Sequence, residues 1–464
     1  WKGKADCLRL AQKRSTGTLR PCPEESVDWD TTQNLYIEGD NLEVLKLLQT
    51  AYYRKVKMIY IDPPYNTGND FVYADDFADP MARYKEVTQQ TTKSNPETMG
   101  RYHTNWLNMM YPRLRLAANL LRDDGVIFIS IDDVEIDNLK KLCNEVFGEE
   151  NFVAQFIWQS RQNKDNRNIT GVSIDHEYVV CYTKQFGHRV FRGTDRKTEQ
   201  YKNPDNDPRG PWTSANMVGL ATADARPNLH YDLINPADGR NYGCPEKGWR
   251  YDRNTMNRLI QEGRIIWPDN PDGRPRKKSF LNELSDNLPG FSSVFSTGVY
   301  TNTATKEIGG LFNKYLFDFP KPVEVIKQLV SQVSNTDDII LDFFSGSATT
   351  AHAVMQLNAE DGGNRRFILV QLPELCDEKS EAYKTGYKNI CEIGKERIRR
   401  AGKMLKDALE SSGLFVRAMK RHQDQHDSLE GFAYAEWEES PEVINAKKEM
   451  AAKLDVGFRV FKLD

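Results

Sequence analysis

The sharpest chemistry in this sequence lies in Asp62-Pro63-Pro64-Tyr65, directly after the apolar run Val56–Ile61. In an open α/β sheet, ligands gather beyond the C-terminal ends of strands. Four such residues at a strand end are suited to hold a planar amine. The Asp62 carboxylate and the Pro63 carbonyl can each accept one hydrogen bond from an exocyclic NH₂. That pair of bonds orients the nitrogen lone pair for attack without a covalent intermediate. Tyr65 can stack on the face of the base. The plain alternative is a proline-rich turn leaving a buried strand, because short motifs recur by chance.

A second segment, Leu341-Asp342-Phe343-Phe344-Ser345-Gly346-Ser347-Ala348-Thr349-Thr350, reads as a strand, a small-residue loop and a helix. Gly346 and its small neighbours let a ligand approach the backbone closely, although a tight strand-to-helix turn needs the same residues. No G-x-x-x-x-G-K-[ST] loop occurs, so the segment better suits a ligand without phosphates. Asp40 follows a strand and opens a helix. It can accept an amine or simply cap the helix. Lys321-Pro322 precedes the predicted helix Val323–Val333, and a proline in a first turn also explains it. Trp106 is read as core packing.

These residues need a scaffold. Apolar runs rich in β-branched and aromatic residues recur at Asn34–Ile37, Val56–Ile61, Val126–Ile131, Phe152–Trp158, Tyr178–Tyr182, Ile339–Phe343 and Phe367–Leu372. Unbroken runs predict strands covered on both faces. Helical patterns lie between them at Asn41–Tyr53, Asn105–Leu121, Asp137–Phe147, Val323–Val333 and Thr349–Leu357. The alternation predicts a doubly wound α/β sheet. It is interrupted from Gln185 to Gly310 by Gly, Pro, Asn, Asp and aromatic residues, which predict an irregular inserted domain. Beyond Ser380 the chain is helical and charged, with a basic stretch over Lys395–Lys406 and a strand pattern at Gly457–Asp464.

The 464 residues imply two or three domains, and 39% hydrophobic with 28% charged residues fits a folded globular chain. No apolar run approaches the roughly 18 residues of a membrane-spanning helix, so no membrane partner is expected. The chain opens on Trp1 with neither Met nor a signal core, so further residues are expected ahead of it. Seven scattered cysteines, with no C-x-x-C pair, predict neither a metal site nor a disulfide framework and point to a reducing cytoplasm. A net charge of −4 excludes a wholly basic nucleic-acid coat but leaves room for a local basic groove.

The sequence resembles the β class of amino-methyltransferases, which methylate exocyclic amines of DNA bases with S-adenosyl-L-methionine. In that class Asp-Pro-Pro-Tyr precedes the target-recognition domain, which precedes a Phe-x-Gly-x-Gly loop. The same order holds here, with Ala348 replacing the second Gly. Ile37-Glu38-Gly39-Asp40-Asn41, Asn66-Thr67-Gly68-Asn69-Asp70-Phe71, Asp124-Gly125 and Phe319-Pro320-Lys321-Pro322 also match, and the long form is similar to the Mod subunits of type III restriction-modification systems. The resemblance implies a Rossmann-like methyltransferase sheet divided as 1–184 (catalytic half), 185–310 (target recognition), 311–400 (cofactor-loop half) and 401–464 (extension). It implies a catalytic set Asp62, Pro63, Pro64 and Tyr65. It implies cofactor contacts from Asp40, Lys321, Pro322, Asp342, Phe343, Phe344, Ser345, Gly346, Ser347 and Ala348, with Gln371 or Glu374 on the ribose. Asp-Pro-Pro-Tyr in this class usually accompanies N6-adenine. Double-stranded DNA, a second copy of the chain and a restriction (helicase/nuclease) subunit are the implied partners.

The insert is rich in arginine, which can grip phosphate or read guanine as a fork. Arg274, Arg276, Lys277 and Lys278, a run without carboxylates, are the candidate phosphate contacts, and Arg209 and Arg226 the candidate base contacts. Solvated surface charge is the alternative for each. Rival readings are an N4-cytosine enzyme on the same fold, a DNA-binding specificity subunit with little activity, and a methyltransferase acting on RNA or protein glutamine. A cytosine-5 enzyme is excluded, because the only Pro-Cys, Pro21-Cys22, follows no strand.

Overall fold

Val56–Ile61 (β3) buries all six of its residues, as an unbroken apolar run should when both faces of a strand are covered. Ile339–Asp342 (β11) does the same. The computed structural model describes residues 1–67, 96–165, 170–187, 189–194, 198–270, 273–284, 288–410 and 441–464. The Gly68-Asn69-Asp70-Phe71 part of the matched segment lies outside them.

The remaining strands of the main sheet are β1 (Leu19–Pro21), β2 (Leu35–Glu38), β4 (Leu121–Ile131), β5 (Phe152–Gln159), β6 (His176–Thr183), β10 (Val294–Phe295), β12 (Arg366–Gln371) and β13 (Arg459–Leu463). Their order is β1-β13-β2-β12-β11-β3-β4-β6-β5-β10. The centre from β13 to β4 is parallel, while β6 and β1 run antiparallel to their neighbours. All seven strand patterns read from the sequence fall in this sheet, whereas the short edge strand β1, which ends on Pro21, is one the sequence does not show ahead of Cys22.

Ile59 and Ile61 join a core with α2 (Asn41–Tyr52), α3 (Pro96–Leu120) and α4 (Ile136–Phe147), and α1 (Lys4–Gln12) packs on α3. The intervening Met58 and Tyr60 point to the opposite face. There α7 (Val323–Val333) packs on β3, and α8 (Thr349–Asp361) packs on α7 and β12. The sheet is therefore doubly wound. From β3 the chain winds through α3 to β4 in one direction. From β11 it winds through α8 to β12 in the other. The adjacent strands β3 and β11 thus form a topological switch point, where such sheets place their ligands.

A second compact unit spans Gly193–Phe291. It holds a three-stranded antiparallel sheet, β7 (Trp212–Ala215), β9 (Arg276–Phe280) and β8 (Ile265–Ile266), with helix α5 (Arg253–Gln261). Met217, Tyr231, Leu233, Trp249, Met256, Leu259 and Ile265 form its own small core. The unit is narrower than the insert expected over 185–310. Phe191 packs edge-on against Phe128 of the main sheet, β10 pairs with β5, and α6 (Thr301–Phe312) packs on α10 (Ile390–Glu410). Ala382 of the short helix α9 (Glu381–Lys384) joins Ile308, Phe312 and Ile393 in that packing. A two-residue strand is too short to leave a period in the sequence, which is why the expected boundary is too wide. Among the described residues no helix is long and apolar enough to cross a membrane.

Candidate active site

Asp62 through Tyr65 leave the C-terminal end of β3, and the Asp342–Ala348 segment leaves the end of β11 beside it. Both line one cavity of about 590 Å³, with Lys321, Gln371 and Glu374. The Asp-Pro-Pro-Tyr turn is held from behind. The buried Trp106 indole N–H donates to the Pro64 carbonyl at 2.7 Å. The sequence reading of Trp106 as core packing is correct but incomplete, because the ring also fixes this carbonyl. Asn66 follows Tyr65 in a left-handed conformation (φ 63), which Asn tolerates better than most residues. Its amide donates to the buried Glu135 at 2.6 Å, and Glu135 also bonds His103 and Asn138.

In front of the turn sits a charge cluster. Lys321 Nζ lies 3.0 Å from Asp62 Oδ2 and 3.0 Å from Glu177 Oε2. It also donates to the Tyr65 hydroxyl at 2.7 Å. That hydroxyl in turn lies 2.9 Å from Asp62 Oδ1 and 3.0 Å from Glu177 Oε2. Two donors are thus shared between two carboxylates. Burial raises the Asp62 carboxyl above the usual range, partly offset by Lys321. Burial also pushes Glu177 upward, but Lys321 and the Tyr65 hydroxyl outweigh it and hold Glu177 below its ordinary value. Burial lowers Lys321, yet the two carboxylates leave it raised. The resemblance implies cofactor contacts from Lys321 and Pro322. In the structure Lys321 lines the cavity shared with the loop, its ammonium on Asp62, while Pro322 is the N-cap of α7. Glu177 escapes the sequence reading, because it sits just ahead of the apolar pattern Tyr178–Tyr182 and its partners are more than a hundred residues away.

Asp342 anchors the neighbouring loop. Its carboxylate accepts from the Phe344 N–H at 3.0 Å and the Thr350 hydroxyl at 2.6 Å, and burial lifts its pKa to about 7. Gly346 and Ala348 are both left-handed (φ 49 and 64), so Ala348 occupies a conformation in which glycine is easier. The Gly346 N–H donates to Gln371 Oε1 at 2.7 Å, so Gln371 braces the loop. Glu374 lines the cavity, its carboxyl raised by burial, and its side chain has no hydrogen-bond partner among the described residues. Phe344, Ser345 and Ser347 also line the cavity, whereas Phe343 and Ala348 face the core. Asp40 is a cap. Its Oδ1 accepts from the Leu42 and Glu43 N–H groups, and its Oδ2 lies 3.2 Å from Arg113. It does not line the cavity.

The second unit corrects the expected basic track. Lys278 pairs with Asp205 and Asp207, so the run is not free of carboxylates in space. Strand pleating sends Arg276 to Ser214 and Lys277 to the Tyr251 hydroxyl. Arg209 binds Asp207 at 2.7 Å, donates to the Glu262 carbonyl and lies over Phe280. Arg226 and Arg274 remain exposed.

A proline-rich turn and a small-residue loop thus meet at the switch point of a doubly wound sheet, where α/β enzymes gather their ligands. A family profile described as DNA methylase, of the N6/N4 type, matches residues 56–401. The StyLTI Mod subunit of a type III restriction-modification enzyme from Salmonella typhimurium is 33% identical over 98% of this chain and 71% of its own length. The EcoP15I Mod subunit of Escherichia coli is 34% identical over 81% of this chain, and the EcoPI Mod subunit of Escherichia phage P1 is 37% identical over 79%. The matches cover 64% and 62% of those two relatives. The chain belongs to the N6/N4 DNA methylase family.

Proposed function

We propose that this chain moves a methyl group from S-adenosyl-L-methionine to the N6 amine of an adenine flipped out of duplex DNA, as the modification subunit of a type III restriction-modification system. The observation that carries the reading is the single cavity where the braced Asp62–Tyr65 turn faces the Phe344–Ser347 loop. Family membership and the named Mod relatives support the class. The pairing of Asp-Pro-Pro-Tyr with adenine supports the base. A restriction subunit and a second copy of the chain are the partners this reading entails.

The residues fit the cofactor. A cavity of this size is typical for a ligand of its bulk. The small loop admits its methionine end, and Glu374 offers a carboxylate for its ribose. When bound, the sulfonium supplies the electrophilic methyl group. The chain's own residues do the rest. Asp62 and the Pro63 carbonyl accept the two amine hydrogens and aim the lone pair. In the resting site Tyr65 and Lys321 occupy both oxygens of Asp62. Glu177 lies equally close to both donors and can keep them as the amine takes their place. Lys321 lies over the Tyr65 ring at 4.9 Å, so a base stacks on the other face or displaces the ammonium. Asp62, with its carboxyl raised by burial, is suited to take a proton after attack.

The test is mass spectrometry of nucleosides from the DNA of cells expressing the chain, beside cells expressing Asp62→Ala. N6-methyladenine from the parent alone is expected. N4-methylcytosine would overturn the choice of base, and no methylated base would overturn the activity.

A further inference from the structure

Arg397, on α10, is completely buried, and its charge is not matched by a close carboxylate. Its Nη1 donates to the Ser347 hydroxyl at 2.8 Å and to the Thr349 hydroxyl at 2.6 Å. Its Nε and Nη2 have no hydrogen-bond partner among the described residues. Glu307 Oε2 stands 4.0 Å from Nη2, and that same oxygen already accepts the Val323 N–H at 3.1 Å. Burial lowers the Arg397 pKa to about 10, so the guanidinium remains charged at neutral pH. An incompletely paired cation in such a place is costly, and an anion nearby would offset the cost.

The direction in which that anion must lie is set by the two hydroxyls. Ser347 and Thr349 both line the cavity. A hydroxyl that accepts from a cation keeps its own proton to donate, and the cation strengthens that donation. Thr349 is also the first residue of α8, a 13-residue helix whose N-cap, Ala348, offers no side-chain acceptor. The N–H groups of that first turn, which no side chain caps, add to the pull on an anion. An uncapped helix start, two hydroxyls and a buried guanidinium behind them converge on one corner of the cavity.

We infer that Arg397 is a positioning residue for the carboxylate at the methionine end of the cofactor, acting through Ser347 and Thr349. The inference rests on the cofactor proposed above, whose single carboxylate is its only anionic group. Arg397 does not touch the ligand. It fixes which way two hydroxyls point and gives them the charge to hold an anion.

The experiment compares the full chain binding S-adenosyl-L-methionine and its decarboxylated analogue, by calorimetry. The parent should prefer the carboxylate-bearing ligand by about 10-fold or more, as expected for a charge-assisted bond. Arg397→Met should erase that preference by weakening only the carboxylate-bearing ligand. Arg397→Lys should restore part of it, and Ser347→Ala should reduce it with the arginine in place. A merely structural role would weaken both ligands alike. Should Arg397→Met fail to fold, the Lys and Ser347→Ala variants decide. A parent preference left intact in every folded variant overturns the inference, and so does a parent that binds both ligands equally, although the proposed function would then stand. A parent that binds neither ligand removes the proposed cofactor and the inference with it.

Discussion

The switch point between β3 and β11 and the unit Gly193–Phe291 both concentrate charge, but they restrain it in opposite ways. At the switch point, buried strands set the positions, and charged groups from distant parts of the chain meet in one cavity. In the smaller unit the core is modest, and carboxylates hold the basic residues in place. Asp207 alone takes Arg209 and Lys278, and Glu283 takes Arg264. A motif at the end of a buried strand therefore announces its place in the fold. A run of basic residues on a short hairpin does not, because pleating and nearby acids redistribute it.

The sharpest way to break this contrast is Asp62→Ala. Methyl transfer should fall by about 10²- to 10³-fold, as for loss of a bond that orients reacting atoms, while cofactor affinity is kept. Labelled methyl transfer to DNA and calorimetry measure the two. Near-normal turnover would mean that the strand end does not place the chemistry.

Asp342 tests the same strand ends through stability. Its folded pKa, about 7, lies above that of an unfolded aspartate. The folded state keeps the proton where the unfolded state has lost it, so its contribution is full below about pH 4 and declines as pH rises to about 7. The slope is at most about 1.4 kcal/mol per pH unit in that window. Asp342→Asn should flatten it in denaturant titrations at a series of pH values. An unchanged profile would show that the carboxyl is not desolvated.

Trp106→Phe removes the N–H that holds the Pro64 carbonyl and leaves most of the apolar ring. About a 10-fold loss of turnover is expected, with cofactor affinity retained. A variant that is less stable but turns over normally would reduce Trp106 to packing.

The smallest effects belong to the second unit. Arg226→Ala and Arg274→Ala should change stability by less than about 0.5 kcal/mol, as exposed substitutions do. Arg274→Ala should weaken binding to all DNA and flatten its salt dependence, and Arg226→Ala should weaken binding to the cognate site only. Binding to cognate and scrambled duplexes at two salt concentrations checks this, and unchanged affinity throughout would leave these arginines as solvated surface.

Much of the fold and of the site is legible in the amino-acid sequence. The runs at Val56–Ile61 and Ile339–Phe343 reveal buried strands, and the residues after them lie where a switch point puts ligands. For Asp40 the sequence leaves ligand and cap both open, and its two oxygens are spent on the helix start and Arg113. What the sequence hides depends on pairs distant along the chain. Glu177 meets Tyr65, Trp106 reaches Pro64, and Arg397 reaches Ser347. No local period records such a meeting, because only the folded sheet brings these residues together.

The strand Arg459–Leu463 lies inside the sheet, between β1 and β2, and pairs with residues roughly 420 to 440 positions earlier. In kinetic terms this is a loop closure of very long reach, which is slow and comes after nearer pairings. Its arrival also locks the turn before Asp40, since a Cβ on Gly39 would stand 2.5 Å from the Leu463 Cβ. Until residue 463 has been synthesised, β2 presents an unpaired edge. A ribosome that stalls before that point releases a chain prone to stick to its own kind.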